Sequence, residues 1–75
     1  MRIISQSGRT DLNYDNCAIV ADGNYIEART TSQTYLMAKY SSEEKTEKVM
    51  EELWTCYVNG EDCILFPKDE EVGVV

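Results

Sequence analysis

The chain has 75 residues, a formal charge of −7 and no histidine. A chain this short forms one domain that buries only about 60% of the surface it exposes when unfolded, and its acidity sets it against direct contact with nucleic acid phosphates or anionic lipid. No apolar stretch is long enough to cross a bilayer, and the three cysteines, Cys17, Cys56 and Cys63, do not close a disulfide framework within one chain.

In chain order, Met1 to Gln6 lacks the apolar run and small-residue cleavage site of a secretory signal. A cytoplasmic protein with reduced thiols is therefore expected, its cysteines acting as small buried hydrophobes. Arg2 to Gln6 reads as a first strand, stopped by Ser7-Gly8. Thr10 to Leu12 is a short extended piece, and Asn13-Tyr14-Asp15-Asn16 is a turn, because its side-chain amides and carboxylates bond nearby backbone.

Cys17 to Ala21 and Asn24 to Arg29 flank Asp22-Gly23, a pair suited to the two-residue loop of a type I′ hairpin. With that loop, Ala21 faces Asn24, Ile19 faces Ile26 and Cys17 faces Ala28. The small and branched apolar residues then share one side, leaving Val20, Tyr25, Glu27 and Arg29 on the other. Thr34 to Tyr40 is the next strand, with Leu36, Ala38 and Tyr40 inward and Tyr35, Met37 and Lys39 outward.

The hydrophobic period then changes from two to 3.6, and residues 41–60 read as one amphipathic helix. Ser41-Ser42-Glu43-Glu44 fits a capping box with Ser41 as the cap and Glu44 reaching back. Thr46, Val49, Met50, Leu53, Cys56 and Tyr57 form the apolar stripe, and Gly60 suits the left-handed residue that ends a helix. Cys63 to Phe66 reads as a largely buried last strand ended by Pro67, and 68–75 as a loose acidic tail. The expected architecture is α+β: an antiparallel β-meander of about four to five short strands, the helix 41–60 packed on it, and a short C-terminal strand. Residues 1–67 form the domain.

Charge is unevenly placed. Residues 1–40 balance Asp11, Asp15, Asp22 and Glu27 against Arg2, Arg9, Arg29 and Lys39, whereas 41–75 set ten acids against Lys45, Lys48 and Lys68. Without histidine the usual general base near neutral pH is missing. No Gly-x-Ser-x-Gly elbow, glycine-rich phosphate loop or zinc spacing occurs, so no enzyme, cofactor or metal is expected. Glu51-Glu52 and Glu43-Glu47 read as solvated charges on an exposed helix face, and a carboxylate hydrolase is the remotest reading.

Trp54 falls at the edge of the apolar stripe beside Met50 and Tyr57 and close to the acidic face, where tryptophan can anchor a protein interface. The leading expectation is an interaction protein that docks Glu47, Glu51, Glu52 and Trp54 on a basic surface of a protein partner. The alternative is a homo-oligomer that sequesters a small anionic, nucleotide-like ligand between subunits. Arg9, Tyr25, Arg29 and Tyr35 would line that site.

Three segments carry a family likeness: Met1-Arg2-Ile3-Ile4-Ser5-Gln6-Ser7-Gly8, Tyr40-Ser41-Ser42-Glu43-Glu44-Lys45 with Met50-Glu51-Glu52-Leu53, and Phe66-Pro67-Lys68-Asp69-Glu70-Glu71-Val72. In these the chain resembles a family of small uncharacterised proteins of gut Firmicutes and their prophages and mobile elements. The resemblance implies no activity and no site residues. It does imply a phage-type accessory factor that binds a host or defence protein.

Overall fold

Period-two patterning gives the first half of the chain its strands, and the computed structural model, which describes residues 1–73, arranges them in two three-stranded sheets. In the first, β1 (Arg2–Ile4) lies between β2 (Asp11–Asn13), antiparallel to it, and β6 (Cys63–Leu65), parallel to it. In the second, β3 (Ala18–Asp22), β4 (Tyr25–Arg29) and β5 (Thr34–Lys39) form an antiparallel meander. Helix α1 (Glu43–Val58) packs on this framework, so the α+β class holds. The sheet, however, is divided in two, and the last strand joins parallel to the first. Ile3, Ile26, Ala28, Val49 and Leu53, each 0% exposed, form the centre of the core.

The β3–β4 hairpin corrects the expected register. Asp22 pairs with Tyr25, Ala21 with Ile26 and Ile19 with Ala28, so the loop is Gly23-Asn24 and not Asp22-Gly23. Gly23 has φ +59° and no residue other than glycine has a positive φ among the described residues. This is the pattern of a II′ turn, with glycine first in the loop; a I′ turn would have forced Asp22 to positive φ. Because the pairing slips by two residues, parity is conserved. Ile26 and Ala28 still face the core, and Tyr25 and Arg29 still face away.

In β5 a bulge overturns the expected alternation. Ile26 pairs with Ala38 but Glu27 with Leu36, leaving Met37 as the extra residue. Met37 and Ala38 are therefore both buried while Leu36 is 55% exposed. Tyr35, expected outward, lies opposite Ala28 and packs partly against the core. A bulge allows two consecutive side chains to enter one core, which strict alternation forbids.

The two sheets are joined where β1 runs on toward β5. The Gln6 amide donates to Met37 O at 2.7 Å. Its side chain accepts from Lys39 N at 3.2 Å and donates to Pro67 O at 3.1 Å. The Tyr40 hydroxyl donates to the same Pro67 carbonyl at 2.8 Å.

Helix α1 begins one residue later than expected. Ser42, not Ser41, is the cap: its hydroxyl accepts from Lys45 N at 3.3 Å, and position three holds Lys45 in place of a box glutamate. Ser41 is diverted because its amide donates to Asp69 Oδ1 at 2.7 Å. Ser42→Ala should therefore lower stability by about 1 kcal/mol and Ser41→Ala by less than about 0.5 kcal/mol, as read from urea midpoints. The reverse order would restore the capping box. At the other end Gly60, with φ +73°, donates to Tyr57 O, and Glu61 donates to Cys56 O, which closes the helix with a Schellman motif.

Two further expectations change. In β6 Cys63 is exposed and Leu65 is 59% exposed, so only Ile64 and the following Phe66 turn inward. Of the segment 68–75 expected to hang free, residues 68–73 fold back: Asp69–Glu71 make one 3₁₀ turn and Val72 enters the core at 6% exposure. An apolar side chain after three acids gives the segment something to bury. Residues 74 and 75 of that expectation lie outside the described residues.

Candidate functional site

The burial of Thr46, Val49, Met50 and Leu53 fixes which way α1 faces. Residues three and four apart lie above one another on a helix, so Glu47, Glu51, Trp54 and Val58 form one continuous outward ridge. All four are exposed, Trp54 at 55% and Val58 at 80%. Trp54 follows Leu53 directly and is turned about 100° from it, which puts the indole at the border between core and solvent.

Beside this ridge is a groove of about 300 Å³, lined by Ala21 of β3 together with Glu47, Met50, Glu51 and Trp54. Met50, at 9% exposure, gives it an apolar floor. Of the four residues expected to meet a partner, three therefore line one groove. Glu52 does not: it lines a second groove of about 550 Å³ with Glu51, Cys56, Ile64, Leu65 and Pro67. Val58 was missed by the sequence reading, though its signal was available as the 47, 51, 54, 58 spacing. Tyr57, assigned to the core stripe, is 48% exposed and packs against Tyr14 in a tilted pair, with ring centroids 4.8 Å apart.

Around the helix start, electrostatics serve structure. The Ser41 amide and then the Lys45 ammonium, 3.3 Å from Oδ2, hold the Asp69 carboxyl below the usual carboxylate range. Burial, with Glu52, Asp69 and Glu71 nearby, pushes the Tyr40 hydroxyl well above its ordinary value. On the first sheet Arg2 pairs with Asp11, raising the guanidinium and lowering the carboxyl. Burial and the Asp15 charge raise the Cys17 thiol, which leaves less of it as the reactive thiolate. The expectation of buried cysteines is not met: Cys17 and Cys56 are half-buried, and Cys63 is exposed because it stands on the face of β6 opposite inward-turned Ile64. Among the described residues no three acids or cysteines are gathered as metal ligands would be, and no helix is long and apolar enough to cross a membrane.

The residues of the ligand alternative are spread out within one chain. Arg9 lies in the loop between β1 and β2, in the first sheet. Tyr25 and Arg29 stand at opposite ends of β4, and Tyr35 is turned to the core side. Each polar partner is local: Lys39 Nζ sits 5.5 Å from the Tyr25 ring centroid, and Arg29 reaches Glu27 at 3.5 Å.

Compared with protein-family models, with curated proteins and with solved structures, the chain matches none.

Proposed function

We propose that this chain is a non-catalytic cytoplasmic accessory protein, of the kind phages and mobile elements carry, that binds a host or defence protein through the outer face of α1. The observation that carries the reading is the exposed ridge of Glu47, Glu51, Trp54 and Val58 beside a groove floored by Met50. Carboxylates on such a ridge steer a basic partner into encounter. The indole, 55% exposed and lining the groove with Met50, supplies a rigid apolar anchor at small entropic cost. A complementary partner surface is basic, with an apolar projection that fills the groove.

The immobilised protein is expected to retain a partner from bacterial lysate at low salt and release it at about 0.5 M salt, where screening reaches within a few ångströms. Reversing Glu47, Glu51 and Glu52 to lysine should abolish retention, and Trp54→Ala should weaken it by about 2 kcal/mol. Retention that survives either change, or no salt-sensitive partner at all, would refute the reading.

A further inference from the structure

Among the described residues, strand β6 is an edge: β1 lies on one side of it and no strand on the other. The hydrogen bonds define which backbone groups are left over. Arg2 N donates to Asp62 O at 2.8 Å and Phe66 N to Ile4 O at 3.0 Å. Ile64 lies midway between Asp62 and Phe66, so by alternation its amide and carbonyl also face β1. Successive residues in a strand turn their backbone groups to opposite sides. The N–H and C=O of Cys63 and Leu65 therefore point along the open edge, and no partner for them is found among the described residues.

The larger groove runs beside this edge. Ile64, Leu65 and Pro67 line it from the sheet side and Cys56 from α1, and Glu51 and Glu52 add two carboxylates. At about 550 Å³ it lies in the size range of side-chain and ligand pockets. The cation in the lining, Lys48, already donates to the Gly73 carbonyl. Lys48 keeps its charge and offsets one of the two carboxylates, so edge, cleft and a lining of one net negative charge meet at one place.

We infer that β6 and this groove receive an extended peptide segment, alternating basic and apolar residues, from a protein partner. The segment adds as a strand to Cys63 and Leu65. One apolar side chain enters the groove and its basic neighbours reach Glu51 and Glu52. Main-chain bonds give such a site affinity, and the cleft with its charges gives it selectivity. A second copy of this chain is the wrong occupant, because two β6 edges brought together would juxtapose two sets of Glu51 and Glu52 on chains that each carry −7. The inference rests on the basic protein partner proposed above and assigns it a mode of attachment.

The test uses a set of eight-residue peptides alternating Lys or Arg with Val, Leu or Phe, titrated against the whole protein by fluorescence anisotropy. At least one is expected to bind. Methylating its alternate backbone amides should weaken binding by about tenfold or more, because the edge bonds are lost while charge and side chains stay. Leu65→Pro should do the same, since proline is tolerated where the amide faces outward from an edge. Glu52→Lys should weaken binding, and Glu27→Lys, on β4 in the other sheet, should not. Absence of binding, or binding indifferent to N-methylation, overturns the inference even should the Leu65→Pro protein fail to fold. Dimerisation through β6 in sedimentation, lost on Leu65→Pro, overturns it in favour of a second copy. Lysate capture lost on Trp54→Ala with no peptide bound would leave the helix face intact and remove only this site. Peptide binding without lysate capture would do the opposite.

Discussion

Phe66→Ala is expected to lower the urea midpoint of unfolding more than any other truncation proposed for this chain, by a loss of about 3–5 kcal/mol. Phe66 is 1% exposed and is the largest of the fully buried side chains. It follows directly on β6, and its amide is tied to Ile4 O at 3.0 Å. Truncating a buried phenylalanine costs about 3–5 kcal/mol in lost transfer energy and residual cavity. A domain of this length has a total stability on the order of 4–11 kcal/mol, so the loss takes a large share of it. Leu65→Ala, one position earlier on the 59% exposed side, should stay within about 0.5 kcal/mol. Urea unfolding followed by far-ultraviolet circular dichroism separates the two, and equal effects would mean that the facing of this strand is wrong.

Ending the chain at Pro67 is the second large change. If residues 68–73 were a free tail, their removal would leave stability untouched. The structure instead buries Val72 to 6% exposure, a contribution of roughly 1.5–3 kcal/mol for a side chain of that size. It also ties Asp69 to the start of α1 through the Ser41 amide and Lys45. The truncated protein is expected to unfold at clearly lower urea concentration at pH 7. The difference should narrow in acid. The folded-state pKa of Asp69 is depressed, so its stabilising share is present above the ordinary carboxylate value of 3.8 and is lost as pH falls through the lower folded value. Identical midpoints for the two chains at pH 7 would return residues 68–73 to solvent.

These two cases mark what local reasoning can and cannot see. The helix and its buried stripe were legible because period, glycine stop and apolar spacing agree over sixteen residues. The inward face of β4 was legible for the same reason, since Ile26 and Ala28 alternate with polar neighbours. Three features were not. The hairpin loop turned on whether Asp22 or Gly23 took the first positive φ, which Asp-Gly composition leaves open. The bulge at Met37 depends on the fit between β4, β5 and the core and leaves no mark in the alternation. The capture of the Ser41 amide by Asp69 joins positions 28 apart in sequence, beyond any local capping rule.

The docking face followed a similar division. Glu47, Glu51 and Trp54 were placed together by helical spacing alone, and they do line one groove. Glu52 was grouped with them by charge, but geometry turns it toward β6. The open edge of β6 could not be read in advance, because it depends on which strand pairs with which. The parallel partnership of β1 and β6 is a tertiary fact.

That partnership also governs when the fold can close. Each of the pairs within the β3–β4–β5 meander and the turns of α1 joins residues near one another in sequence, so these parts can form early. The pairing of Ile3 with Ile64 joins positions about 60 residues apart, and contacts of such separation are the slow ones. During synthesis β1 is made first yet must wait, one edge unpaired, until Cys63 to Phe66 have left the ribosome. Until that pairing forms, a short apolar strand, Ile3-Ile4, stands open to whatever extended chain is nearest.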